Sequence, residues 1–227
     1  MEANSRNSIR SITKYLIFIF LLVFSFVVKS ATYTWIGASG GSWATSTNWS
    51  PTRTTPATSD FLIINTNVTI INVPNQSITS LTIGGNVILK SPSTGSRTLT
   101  ILNGTGTDLI VNSGYTLEIQ NNGARTLAIT MSASCTGQID GTLKWTTTGT
   151  FTPIGLTIGA TGTYQHNRNA GTVPTATWTA GSTLLISGIT TTLPTTGLTQ
   201  TFSNVTWNCA TQTANLALEA NLNTING

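Results

Sequence analysis

Charge is what this 227-residue chain has least of: Asp, Glu, Lys and Arg together make up 7% of it, against about a quarter of an average soluble domain. The polar surface must therefore be made of Thr, Ser, Asn and Gly, a surface suited to a tethered, stacked or extracellular protein. The formal net charge of +4 misleads, because Arg6, Arg10, Lys14 and Lys29 all fall before Ser30. The rest carries Arg53, Lys90, Arg97, Arg125, Lys144 and Arg168 against Asp60, Asp108, Glu118, Asp140 and Glu219, with no basic cluster. Nucleic-acid binding needs such a cluster and is excluded as a function class. One histidine and two cysteines leave no ligand set for a metal centre, and no cofactor motif is present. Apolar residues still reach 39%, enough for a continuous core, which excludes a disordered stalk.

Long apolar runs are also scarce, and the one present lies at the start. A basic stretch to Lys14 precedes the run Leu16 to Val28, interrupted by Ser25, and small residues follow at Ser30 and Ala31. Spanning a bilayer takes about 20 apolar residues, so the run is short for an anchor. Residues 1–30 read as a signal peptide with Val28-Lys29-Ser30 as the cleavage site; an uncleaved anchor is the competing reading. The expectation is a secreted or cell-surface protein that meets the membrane only through its signal peptide.

What the remainder has is a repeated phrase: an alternating apolar run, a glycine turn, and another alternating run. Leu81-Thr-Ile83 leads through Gly85 to Val87-Ile-Leu89, and Leu109-Ile-Val111 through Gly114 to Leu117-Glu-Ile119. The phrase recurs around Gly141, Gly162 and Gly181. Degenerate repeats of this length indicate stacked units that bury a core only against their neighbours. Helical periodicity is absent, and the short β-branched runs are broken by Asn, Pro and Gly. The pattern predicts an all-β parallel β-helix (β-solenoid) over residues 61–227, with Ile83, Val111, Ile139, Ile158 and Leu184 pointing inward. Coils of about 20–25 residues are expected late in the chain and looser ones early. A sandwich or barrel of hairpins is the alternative, and the lack of regular two-residue turns weighs against it.

Residues 31–60 differ in texture. Trp35, Trp43 and Trp49 stand among Gly37, Gly40 and Gly41, where an N-terminal cap over the open sheet edge is required. At the other end, 221–227 reads as the start of a further rung, so the chain is expected to be the front part of a longer protein. Its unpaired strand edge predicts end-to-end self-association.

Two blocks carry a resemblance. One is Tyr33-Thr-Trp-Ile-Gly37 with Asn48-Trp-Ser-Pro51. The other runs from Tyr164-Gln-His166 through Gly171-Thr-Val-Pro174 and Trp178 to Phe202-Ser-Asn-Val-Thr-Trp-Asn-Cys209. Together they resemble segments of repetitive β-helical secreted and cell-surface proteins of Bacteroidetes-type bacteria, adhesin-like and associated with type IX secretion. The resemblance implies an exported structural protein; such proteins usually end in a small β-sandwich sorting domain, which this sequence does not contain.

The candidate chemistry is sparse. Asp108 and Glu118 face each other across the Gly114 turn in sequence, the nearest approach to the carboxylate pair of a glycosidase, with solvated turn positions as the competing reading. His166, beside Tyr164 and Arg168, has no acid nearby in sequence and reads as structural. Trp35, Trp43, Trp49 and Tyr164 are the candidate platforms for stacking on sugar rings, with packing in the cap or core as the alternative. Cys135 and Cys209 are a candidate disulfide of an exported protein, against two separately buried thiols. The expected function is a non-enzymatic, adhesin-like surface protein whose partner is an extracellular glycan or surface ligand. The alternative is a carbohydrate-binding or polysaccharide-active β-helix protein with its catalytic part beyond residue 227.

Overall fold

The computed structural model describes residues 30–218, 222, 224 and 225; the signal-peptide expectation over 1–30 lies outside them, save Ser30. Strands form where β-branched and aliphatic residues alternate with Thr, Asn and Gln, because one face of each run can be buried and the other left in water. Alternating buried and half-buried positions in Phe61–Ile64, Val68–Ile71, Leu127–Met131 and Thr183–Ile186 record this directly. The sole helical element among the described residues is one 3-10 turn, Ser46–Asn48.

The strands follow in circuits. The first contains β1 (Thr32–Trp35), β2 (Gly41–Ser42) and β3 (Trp49–Ser50), and the second β4 (Phe61–Ile64), β5 (Val68–Ile71) and β6 (Gln76–Ile78). The third has β7 (Ser80–Ile83), β8 (Val87–Lys90) and β9 (Arg97–Ile101); the fourth β10 (Leu109–Val111), β11 (Thr116–Gln120) and β12 (Leu127–Met131). The fifth has β13 (Gly137–Ile139), β14 (Thr142–Trp145) and β15 (Phe151–Thr152). Thereafter each circuit has two: β16 (Leu156–Ile158) with β17 (Thr163–His166), β18 (Thr177–Trp178) with β19 (Thr183–Ile186), and β20 (Thr201–Phe202) with β21 (Asn204–Trp207). β22 (Thr224–Ile225) pairs with β20.

Three long sheets result, besides the two-stranded β20-β22. One runs β18-β16-β13-β10-β7-β4-β1-β3, the second β2-β5-β8-β11-β14-β17-β19-β21, and the third β15-β12-β9-β6. Every pairing in them is parallel except that of β3 with β1. The fold is therefore all-β and built of parallel sheets, with a connectivity consistent with the β-solenoid class. A hairpin sandwich is ruled out by the parallel pairing.

Register stacks like on like. Leu62, Leu81 and Leu109 are successive partners, as are Ile64, Ile83, Val111, Ile139 and Ile158. Ile83, Val111, Ile139, Ile158 and Leu184 are fully buried, as their alternation predicts. Circuit length drifts. The step from Leu81 to its partner Leu109 is long, whereas those from Tyr164 to Leu184 and from Leu184 to Val205 are shorter. The second circuit departs from the expected trend, since the step from Leu62 to Leu81 is as short as the late ones. The drift is taken up on the third side, where late circuits carry loops in place of a strand.

The glycines between the first and second sheets serve two needs. At Gly141 and Gly162 a Cβ would strike carbonyl oxygens of the preceding circuit (Asn112 and Tyr115 for the former, Ile139 for the latter). At Gly114 and Gly181 φ is +82° and +91°, a region that side chains disfavour.

Residues 31–60 are more than a cap preceding the stack, contrary to a boundary at residue 61. β1 pairs in parallel with β4 and β2 with β5, so the segment supplies the first circuit itself. Antiparallel β3 then covers the outer edge of β1. The three indoles interlock there, Trp35 and Trp43 meeting Trp49 edge-on at 5.0 and 5.1 Å. Beside them Arg53 donates through Nε to Asp60 Oδ2 at 2.7 Å, with both side chains 1% exposed. Its guanidinium lies 5.7 and 5.6 Å from the Tyr33 and Trp49 rings, a packing that a planar weakly hydrated cation tolerates.

Candidate functional site

Trp35, Trp43, Trp49 and Tyr164 do not offer platforms for a sugar. Each is 1% exposed or less, because a large apolar ring in a charge-poor stack gains more from the core than from a wet groove. Trp35 Nε1 donates to the Gly37 carbonyl at 2.8 Å, Trp43 Nε1 to Gln76 Oε1 at 2.9 Å and Trp49 Nε1 to the Trp43 carbonyl at 3.0 Å. All three indole N–H groups are thus satisfied within the first two circuits. Cys135 and Cys209 are free thiols. Cys135 Sγ donates to the Ile101 carbonyl at 3.2 Å and Cys209 Sγ to that of Ile186 at 3.5 Å, each bound to its own neighbouring circuit. The disulfide expectation is corrected accordingly, and burial pushes both thiols up from their ordinary pKa.

Asp108 and Glu118 are not brought together. Asp108 is buried between circuits, accepting from the Gly104 N–H at 2.7 Å and the Thr136 N–H at 2.8 Å. Glu118 stands on the outward face of the second sheet, opposite Lys144 on β14. Lys144 Nζ lies 3.3 Å from Glu118 Oε1, and Thr146 Oγ1 donates to the same oxygen at 2.8 Å. No sequence signal marks this pair, because its members belong to different circuits and only the register makes them neighbours.

His166 points into the core. Its Nε2 contacts the Ala170 carbonyl at 2.7 Å; a carbonyl only accepts, so Nε2 carries the proton and Nδ1 is the bare nitrogen. Burial holds the imidazole down at a pKa of about 4, opposed by the Ala170 contact and reinforced by the charge of Arg168. Burial likewise raises the Tyr164 phenol. Arg168 Nη1 donates to the carbonyls of Thr147 and Gly149 at 2.9 and 3.3 Å. Three buried atoms in this segment (Tyr164 Oη, His166 Nδ1 and Arg168 Nε) have no partner among the described residues. Among those residues, no three His, Cys, Asp or Glu side chains come together in a metal-binding group, and no helix is long and apolar enough to cross a membrane.

The feature with the makings of a binding site is the outward face of the second sheet near its start. A groove of about 460 Å³ is lined by Ser39, Asn67, Thr69, Asn86, Ile88, Thr116 and Glu118, with Val68 and Val87 beneath. Its shape follows from the register: Thr69, Ile88 and Glu118 are successive partners on β5, β8 and β11. Thr69 and Ile88 lie between the 38–40 turn, which bonds to Thr69, and Glu118 on the far side. Ser39 is pinned there, its Oγ accepting the Thr69 N–H at 3.1 Å while the Gly40 N–H donates to the Thr69 carbonyl at 2.7 Å.

One border of the groove is an asparagine ladder. Asn67 Oδ1 accepts the Asn86 N–H at 2.8 Å, and Asn86 Oδ1 accepts the Thr116 N–H at 3.0 Å. A backbone N–H can only donate, so these contacts fix which amide atom is oxygen. The two NH₂ groups, one circuit apart, are left without partners among the described residues. No family model matches this chain, and no curated protein or solved structure does either.

Proposed function

We propose that the chain is the β-solenoid part of an exported, non-enzymatic, adhesin-like surface protein. The observation that carries the reading is how the acids of the described residues are spent. Asp60 is tied to Arg53, Asp108 to two backbone N–H groups, Asp140 to Gln138 Nε2 at 2.7 Å, and Glu118 to Lys144 and Thr146. Each is held by a hydrogen bond or an ion pair, and none faces a second carboxylate or an imidazole as general acid–base chemistry requires. One outward column of the second sheet is a row of uncharged polar groups, Thr116, Thr142, Thr163, Thr183 and Asn204. Such a stack is a rigid, charge-poor spacer, a form that serves display at a surface.

The test is localisation in the native host. An antibody raised against residues 30–218 is expected to label intact cells or the culture medium. Signal seen only after lysis would overturn the reading.

A carbohydrate-binding role is the second reading, favoured by the groove over β5, β8 and β11.

A further inference from the structure

From the groove of the second sheet we infer a binding site for a neutral oligosaccharide laid along the stack axis. The inference deepens the surface-protein reading by giving it a ligand class, and its geometry does not depend on that reading. Three observations converge on it.

First, the lining carries donors and acceptors with little net charge. Asn67 and Asn86 each present an amide NH₂ whose partner oxygen is already held by the next circuit. Ser39, Thr69 and Thr116 add hydroxyls. Fixed amides lose little freedom on binding, which lowers the cost of capturing a hydroxyl-rich ligand. Second, Glu118 is 8% exposed and is the single acid in the lining. Its Oε1 is occupied by Thr146 and Lys144, and Oε2 has no partner among the described residues, leaving one charged acceptor for a hydroxyl pair. Lys144 is engaged by Glu118 and the groove lining itself contains no Lys or Arg, so no free cation is there to pair with the charges of an acidic polymer. Third, Ile88 supplies an aliphatic floor between polar borders, the combination that suits a pyranose with its C–H face down and its hydroxyls at the rim.

Spacing fixes the direction. Neighbouring circuits lie about 4.8 Å apart, close to the length of one sugar residue. The Asn67 and Asn86 amides, one circuit apart, would meet hydroxyls on successive residues, and Glu118 would meet those of the next. No stacking aromatic lines the groove, so hydrogen bonding must supply most of the selectivity and binding is expected to be weak for one residue and cumulative along a chain.

The test is calorimetric titration of the purified chain with hexasaccharides of β-1,4-glucose, β-1,4-mannose and β-1,4-N-acetylglucosamine, and with the corresponding monosaccharides. Saturable binding of at least one hexasaccharide, and none of its monomer, is expected. Glu118→Gln and Asn86→Ala should each weaken it about tenfold, whereas Gln165→Ala, on the same face two circuits further along, should leave it unchanged. Circular dichroism on each variant separates lost binding from lost fold. Absence of binding to all three hexasaccharides overturns the inference, as does binding that Glu118→Gln and Asn86→Ala do not alter or that Gln165→Ala weakens equally. A chain found at the cell surface that binds none of them refutes the groove alone; a chain that binds but stays inside the cell refutes the surface reading alone.

Discussion

Two of the stretches in which this molecule buries ionisable groups do so in opposite ways. At the first circuits Arg53 and Asp60 form a closed pair, roofed by Trp49 and Tyr33. Around β17, Arg168 is held only by carbonyls, and Tyr164 and His166 sit beside it with polar atoms unused. The circuits between them bury aliphatic side chains such as Leu81, Val87, Leu99, Leu117 and Ile129. Charge buried with its partner makes a unit that fails only when one member is removed. Polar groups buried as neutral species make a unit that fails when protons arrive.

The largest effect expected from this contrast is at Asp60. Asp60→Asn strips the compensating charge from Arg53 and should destabilise the chain by about 3–5 kcal/mol, as for other broken buried pairs. Removing both charges, in Arg53→Met with Asp60→Leu, should recover most of that loss. Urea unfolding of the single variants and the double variant measures the coupling, and additive losses would show that the pair is not a unit.

His166 sharpens the other side. Its folded pKa of about 4 lies below the ordinary 6.5, so between those values the unfolded chain binds more protons and stability must rise with pH. Neutral His166 contributes fully above about pH 6.5, and the contribution is lost as pH falls towards 4. At about 1.4 kcal/mol per unit the whole window is worth about 3 kcal/mol. His166→Leu should flatten this part of the curve of urea midpoint against pH. An unchanged slope would place the titration elsewhere.

The smallest effect is expected on the third side. Asn169 Oδ1 accepts the N–H groups of Thr190, Thr191 and Thr192 at 3.0, 2.9 and 2.9 Å. These are exposed, so Asn169→Ala should cost about 1 kcal/mol and speed hydrogen exchange at those three amides while β17 and β19 keep their protection. Loss of protection across both strands would mean that the loop governs the sheet.

Much of the fold was legible because it rests on alternation. Ile83, Val111, Ile139, Ile158 and Leu184 could be assigned to the core from period and glycine spacing alone, and parallel stacking followed from the repeat. The fate of the tryptophans was not legible: an indole among Gly, Ser and Thr reads equally as a platform or as packing, and β3 folding back over β1 decides it. The first circuit hid within residues 31–60 because its β2 is so short, Gly41–Ser42, and carries no apolar alternation. The groove and the Glu118–Lys144 pair were invisible for another reason. They are products of register, and the unequal steps from Val68 to Val87 and from Val87 to Leu117 give sequence spacing no fixed period with which to align them.

That irregular length has a consequence of its own. The passage from the first sheet to the second is brief wherever it occurs, as between Ile83 and Val87 or between Ile139 and Thr142. The return stretch is elastic, short from Ile71 to Ser80 and about twice as long from Lys90 to Leu109. Two walls thus keep time for the stack while the third absorbs every change of measure. Segments added to the return would leave the groove and its neighbours where they stand, so this side is the place where such a chain can gain new surface without refolding the rest.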